Sequence, residues 1–494
     1  MTRGAGRRLV LAVQRLLTHA PAPLRSAARR LLGARLGARL ETEAAVDGWQ
    51  TGLLGAAAAV PLRWPDAPPT HTASPAQTAP PGPATTGTPL RCLLVTDSLD
   101  VSGMDEFVAF LARRLRGHGV HTAVMIGSDV AGRGFGRLAR DLVAEGIEVV
   151  DPGRAGGAAW MRRWRPDVLS AHGCADWPLE TAADLGIPAV ETLHGMHNLF
   201  GASPERVVAR RHLLAALVSV SEMVRLQYLA LDGGLEPDRI ITIPNGVDAR
   251  RLPAVSRERA RAALGLADEF LFVSLARHSL QKNGYALASA FDEMAAAVPG
   301  AHLLICGRSD DRSYTGQVLA LKRRLAHGDR LHLRDNTPHV AALLAAADGF
   351  ALDSFFEGWS LSSMEALASG VPVVMSDVGG AREQLSGGVA KGALVANPLG
   401  DPLAVDWTAI GAARFRPQPN RAELVAALTA LATGAMPVDA RETIAADSLA
   451  RFDDALCLAR HAHALAAAAN GRPPALPRGL LAAADPIEGA NDVG

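Results

Sequence analysis

Short apolar runs alternate with helix-length segments over most of the chain, and this alternation constrains the fold more than any other property of the sequence. Strand-like runs occupy residues 91–96, 121–126, 149–150, 167–171, 189–193, 217–220 and 240–243. Between the first two, residues 105–116 read as a helix with Phe107, Phe110, Leu111 and Leu115 on one side. A turn, Asn245-Gly246-Val247-Asp248, and a helical stretch at 250–261 lead to a second series. Its strands are expected at 270–275, 302–306, 331–333, 349–352 and 371–375. Strands that alternate with helices must cross over the sheet, so each half is expected to form a parallel sheet covered on both faces. The fold class is therefore α/β, with two Rossmann-like, doubly wound domains facing each other across a cleft.

The 494 residues suit two such domains plus extensions. Residues 90–250 form the first domain and 251–440 the second. A C-terminal helix is expected within 441–470, packing back across the domains, before a mobile tail at 471–494. Residues 1–60 are rich in Arg and Leu, with Arg7, Arg8, Arg15, Arg25, Arg29 and Arg30 near helical spacing. That pattern fits either a peripheral contact with anionic membrane or a solvated extension. Residues 61–89 are proline-rich and read as a linker. Fifty basic and fifty acidic side chains leave no excess charge, which argues against a nucleic-acid binder. The four cysteines show no Cys-x-x-Cys pair and point to reduced, buried thiols in the cytoplasm. No apolar run is long enough to cross a bilayer.

The most informative local pattern is Glu357-Gly-Trp-Ser-Leu-Ser-Ser-Met-Glu365. It reads as a turn with one exposed carboxylate followed by a helix start with a second. Ser362 and Glu365 have capping-box spacing, and Gly370 followed by Pro372 marks the end of the helix. A helix N-terminus offers free N–H groups to a phosphate, and carboxylates beside it suit sugar hydroxyls. Taken alone, both glutamates could equally be a cap and a solvated loop charge. Arg277 and Lys282 follow the strand at 270–275, where ligands enter open α/β sheets. There a guanidinium fork and a movable ammonium could hold phosphate oxygens. No Asp-x-Asp or histidine cluster has convincing metal-ligand spacing, and Asp310, Asp311 and Asp353 read as turn residues.

The stretch from Ala345 to Glu383, with Arg277 and Lys282 before it, resembles the donor-binding segment of retaining GT-B-fold glycosyltransferases, glycosyltransferase family 4 (group 1). The resemblance covers roughly residues 90 to 400. It implies the GT-B fold and a nucleoside diphosphate sugar as donor, with no metal or other cofactor. It gives the diphosphate to Arg277 and Lys282, the donor sugar to Glu357 and the ribose to Glu365. Amides of Ser360, Leu361 and Ser362 would sit near the sugar and phosphates. Gly103 takes the place of a loop glycine that approaches the diphosphate, although Ser102 replaces its usual glycine partner and also reads as an N-cap for Asp105. His194, in His194-Gly195, would meet the donor sugar or acceptor side, with His172 a weaker candidate of the same kind. Gly379, Gly380 and Glu383 would shape the phosphate loop. Ala276, Asp353 and Trp359 depart from the usual Gly, Pro and Phe. Catalysis would then rest on Glu357, His194, Lys282 and Arg277. The acceptor could be a glycan, a lipid-linked saccharide or a small molecule, with a role in glycolipid, polysaccharide or cell-envelope synthesis. The rival expectations are a nucleotide-sugar epimerase of the same fold and an idle scaffold. A nicotinamide enzyme is disfavoured, since no Gly-x-Gly-x-x-Gly follows the first strand of either half.

Overall fold

The computed structural model describes residues 88–480 apart from Val101, Arg133, His197, Asn198, Gly201 and Pro338. The basic N-terminal extension, nearly all of the proline-rich linker and the end of the tail lie outside the described residues.

Two parallel sheets account for every predicted strand. The first contains β1 (Leu90–Thr96), β2 (Val120–Ile126), β3 (Val149–Val150), β4 (Val168–His172), β5 (Ala189–Leu193), β6 (Ala216–Ser219) and β7 (Ile240–Thr242), in the order 3-2-1-4-5-6-7. The second contains β8 (Phe270–Leu275), β9 (Ala301–Cys306), β10 (Leu331–Arg334), β11 (Gly349–Leu352), β12 (Val373–Ser376) and β13 (Gly392–Val395), in the order 10-9-8-11-12-13. Both sheets reverse direction of growth beside their first strand, at β1/β4 and at β8/β11. Such reversals splay the flanking loops apart and open a crevice at the strands' carboxyl ends. Each sheet buries apolar side chains on both faces. Leu94 and Val124 face one core of the first sheet and Leu93 and Met125 the other. Val273 and Phe272 divide the second sheet's cores in the same way. These are the near-continuous apolar strands that a two-sided burial demands.

The C-terminal segment is two helices where one was expected. Arg441–Arg451 packs on the second domain, with Ile444 buried in its core. Phe452 leaves helical geometry, and Asp453 caps the next helix, Asp454–Ala469, by accepting from Leu456 N at 2.7 Å. That helix returns to the first domain and buries Cys457, Leu458 and Leu465 in its core. A fully buried leucine contributes about 1.5–3 kcal/mol, so this return holds the two halves together. Among the described residues, no helix is long and apolar enough to cross a membrane. All four cysteines are buried thiols, and burial pushes Cys174 and Cys457 up to about 12.

Candidate functional site

The loops after β8 and β11 meet at the second sheet's reversal. Lys282 lies in the first loop and Glu357 in the second, and Lys282 Nζ donates to Glu357 Oε1 at 2.5 Å. Ser354 Oγ donates to the same oxygen at 2.6 Å. Glu357 is thus buried, not the exposed loop charge that its turn context suggested. The reason is the partner set: a cation and a hydroxyl replace the water a carboxylate would otherwise need. Gln281 ties the loops together, since its backbone O accepts from Phe355 N (2.9 Å) and its Nε2 donates to Phe356 O (3.1 Å). Gln281 Oε1 also accepts from Arg277 Nη2 at 3.0 Å, and Arg277 forms an ion pair with Asp310. Arg277 and Lys282, the two cations expected at the diphosphate, are thus each held by a carboxylate.

The helix beside them is Leu361–Ala368. Its cap is Ser360, whose Oγ accepts from Ser363 N at 3.3 Å, so the box expected of Ser362 and Glu365 does not form. Gln384 reinforces the cap by donating to Ser360 O and accepting from Ser363 Oγ. With the helix starting two residues earlier than that box requires, Glu365 falls in its interior and turns to Arg251. Arg251 Nε donates to Glu365 Oε1 at 3.0 Å, and Arg251 Nη1 lies 2.6 Å from Glu106 Oε2 of the first domain. Burial pushes the Glu365 carboxyl up, and the guanidinium opposes that shift. Nothing in the local pattern pointed to Arg251; the only signal is its place after the interdomain turn.

Asp353 also departs from its reading as a turn residue. It is fully buried at the end of β11 and accepts from Asn283 Nδ2 (2.9 Å) and Asn420 Nδ2 (2.8 Å). Amides compensate a buried negative charge poorly, and burial pushes the carboxyl up to about 7. Asp311 does serve locally, capping the helix Arg312–Lys322.

The first domain supplies the opposite wall. Ser102 Oγ accepts from Asp105 N at 3.1 Å and starts the helix Gly103–Arg114, as its N-cap reading anticipates. A Cβ added at Gly103 would meet only Leu361 Cδ1, at 3.7 Å, an ordinary contact. Across the cleft Gly358 is far tighter, where an added Cβ would lie 2.1 Å from the His194 carbonyl oxygen. The imidazoles of His194 and His172 are joined, with His172 Nδ1 2.9 Å from His194 Nε2. Glu383, expected to help shape the phosphate loop, accepts at Oε1 from Glu222 N of the first domain at 2.7 Å. Gly379 N likewise donates to Met223 Sδ. Phe200 of the first domain meets Phe356 and Trp407 of the second edge-on, with centroids 5.2 and 5.9 Å apart. Among the described residues, no three His, Cys, Asp or Glu side chains converge to hold a metal ion.

Lys282, Glu357, Ser360, Leu361 and Ser362 thus gather at one reversal point, with His194 and Gly103 facing them, while Glu365 is engaged by Arg251. Comparison with known proteins gives this arrangement its context. Residues 101–251 match the family described as Glycosyltransferase Family 4, and residues 256–405 match Glycosyl transferases group 1. A glycogen synthase of Mycobacterium tuberculosis is 31% identical over 249 residues, covering 46% of this chain and 56% of the relative. A D-inositol 3-phosphate glycosyltransferase of Segniliparus rotundus is 29% identical over 240 residues, covering 44% of this chain and 52% of the relative. The chain thus spans about half the length of these curated relatives. Among solved structures, Anabaena HepE in complex with UDP superposes with a TM-score of 0.58 at 19% identity, covering 76% of this chain and 100% of that one. WaaG, a glycosyltransferase of lipopolysaccharide biosynthesis, gives 0.52 at 15% identity, covering 76% and 99%. With both halves matched in order and the two-sheet architecture shared, the chain belongs to the GT-B glycosyltransferases of family 4, group 1.

Proposed function

We propose that the chain is a retaining glycosyltransferase that moves a sugar from a nucleoside diphosphate sugar to an acceptor hydroxyl without a metal ion. The observation that carries this reading is the buried Lys282–Glu357 pair at the crevice end of the second sheet. A cation sealed beside a carboxylate there can pass to a diphosphate, while the carboxylate turns to sugar hydroxyls. Arg277 would make the same exchange, leaving Asp310 for phosphate oxygens. HepE, solved with UDP and with UDP-glucose, supports a nucleotide sugar as the ligand.

In the reaction, the bond from the anomeric carbon to the diphosphate oxygen breaks, and a bond to the acceptor oxygen forms on the same face. The acceptor proton passes to the departing phosphate. Lys282 and Arg277 stabilise the charge that builds there, the kind of preorganised electrostatics that contributes most to such steps. Glu357 orients the sugar, the amides at Ser360 to Ser362 face the phosphates, and closure of the two domains excludes water. Glu365 would reach a ribose only after giving up Arg251. The acceptor is a glycan, a lipid-linked saccharide or a small molecule, in glycolipid, polysaccharide or envelope synthesis. Relatives named for glycogen, inositol phosphate and undecaprenol-linked sugars support that range. We place the reaction in the cytoplasm, with the basic segment of residues 7–30 serving either as a contact with anionic membrane or as a solvated extension.

The test is a panel of UDP-, GDP- and ADP-sugars with and without EDTA, following nucleotide release and the anomeric configuration of the product. EDTA-resistant release from one donor, with configuration kept, is expected. An inverted product removes retention, and a metal requirement removes the cation-only mechanism. Silence across the panel, with no nucleotide binding by thermal shift, sinks the transferase reading.

A further inference from the structure

Neighbouring strand ends in the first sheet carry a chain of three side chains. Ser170 and His172 are two residues apart on β4, so they project from the same face. Ser170 Oγ lies 3.0 Å from His172 Nε2, and His172 Nδ1 lies 2.9 Å from His194 Nε2, just beyond the end of β5. The Phe107 ring packs against both imidazoles, with centroids 6.4 Å from His172 and 5.5 Å from His194. His172 is wholly buried, and burial holds its pKa well below the ordinary histidine value, so the ring is neutral.

A neutral imidazole has one N–H and one lone pair, so the two bonds of His172 must run in opposite senses. Ser170 decides which. Its hydroxyl has no other acceptor among the described residues. If His172 Nε2 carried the proton, the serine hydrogen would be left buried without a partner, a costly state. The serine therefore donates to Nε2, and His172 carries its proton on Nδ1. That proton is given to His194 Nε2, which must be a bare lone pair.

We propose that His172 is a positioning residue that fixes His194 as the neutral Nδ1–H tautomer, so that His194 serves the transfer as a hydrogen-bond donor to a sugar or acceptor oxygen and not as a base. The second clause rests on the reading that His194 faces the reacting sugar; the tautomer does not. Which nitrogen of a histidine is protonated is set by the bond made at the other, and this chain sets it from inside the domain. The departing phosphate is then left as the group that takes the acceptor proton.

Nitrogen NMR of the full chain labelled with 15N-histidine tests the tautomer directly, the His194 signals being identified by their loss in His194→Gln. Protonated Nδ1 and bare Nε2 are expected. Protonated Nε2, or protons on both nitrogens, overturns the proposal. Kinetics with the identified donor test its consequence. His172→Asn keeps an N–H close to the position of Nδ1 and should stay within about threefold of wild-type kcat. His172→Asp offers only an acceptor and should lose about 10-fold or more, the range of outer partners that orient a working histidine. Equal kcat in the two variants, both with wild-type melting temperatures, would overturn the positioning role, since a merely structural residue would not distinguish donor from acceptor. The spectrum needs no substrate, so an inactive wild type would count against the transferase reading and leave the tautomer result standing.

Discussion

Among the described residues, two imidazole pairs of nearly the same length lie in different places. His172 and His194 lie 2.9 Å apart in the first domain, and His302 and His332 lie 3.0 Å apart in the second. Each pair joins neighbouring parallel strands, and burial depresses the pKa of His172, His302 and His332. The positions along the strands differ. His172 is the last residue of β4 and His194 follows β5, whereas His302 and His332 are each second in their strands, β9 and β10. The first pair therefore opens toward the crevice, with Gly358 of the other domain against the His194 backbone. The second is stacked at 14° toward the far end of its sheet, and His332 Nδ1 has no hydrogen-bond partner. Identical side chains become candidates for chemistry only where strand ends bring other polar groups within reach.

Place alone is not sufficient, and Asp353 is the sharpest way to test that. It follows β11 as Glu357 does, but its hydrogen-bond partners are amides and it has no cation. Its folded pKa of about 7 lies above the unfolded carboxylate value, so its contribution to stability is fully present in acid and is lost as pH rises through 7. At about 1.4 kcal/mol per pH unit over roughly three units, the effect amounts to about 4 kcal/mol. Asp353→Asn should flatten this part of the denaturant-measured stability profile between pH 4 and 7 and leave kcat near wild type. A slope retained in the variant would mean that other groups cause it.

Lysines give the next contrast. Lys282→Ala should lower kcat by about 10²–10³, the scale of losing one preorganised donor. Lys322 is also buried, and burial lowers its pKa to about 8, but it ends a helix away from the strand-end crevice. Lys322→Met should change kcat less than about twofold, as expected of a group that makes no transition-state contact. Comparable losses in the two would erase the distinction. The histidine pairs follow at smaller amplitude. His172→Asp should cost about tenfold in kcat, whereas His332→Leu should move the melting temperature and leave kcat alone. A matching loss of kcat in His332→Leu would show that the far pair also reaches the chemistry.

Most of the fold was legible because most strands are apolar on both faces and the crossovers are helix-length, a pattern carried by local sequence; β13, only partly buried, was not anticipated. The places of Lys282 and Glu357 after strand ends were legible in the sequence, whereas the pairing that buries Glu357 was not. What was not legible depended on distant partners. Glu365 read as half of a capping box because Ser362 stands three residues before it, but Ser360 competes for the same helix end and Gln384 reinforces that choice. Its true partner, Arg251, is 114 residues away in sequence. Asp353 read as a turn residue because Asn283 and Asn420 come from separate segments. The break between the last two helices did have a local signal, since Asp453 precedes an alanine-rich run as an N-cap should.

Two of the glycines that line the cleft offer the smallest and most discriminating comparison. A Cβ at Gly358 would overlap the His194 carbonyl, so that glycine is required by the close approach of the domains themselves. A Cβ at Gly103 would only touch Leu361, and the residue starts a helix with no left-handed φ to favour glycine. Gly103→Ala should therefore leave stability, measured by thermal melting, within the change expected of an uncrowded site, about ±0.5 kcal/mol. If the space before Gly103 is filled by the diphosphate when donor binds, the same substitution should raise the donor KM several-fold with kcat nearly unchanged. That pattern marks binding weakened equally in the ground and transition states. A KM identical to wild type would mean that the diphosphate stays clear of this loop and is held by Arg277, Lys282 and the Ser360-capped helix alone.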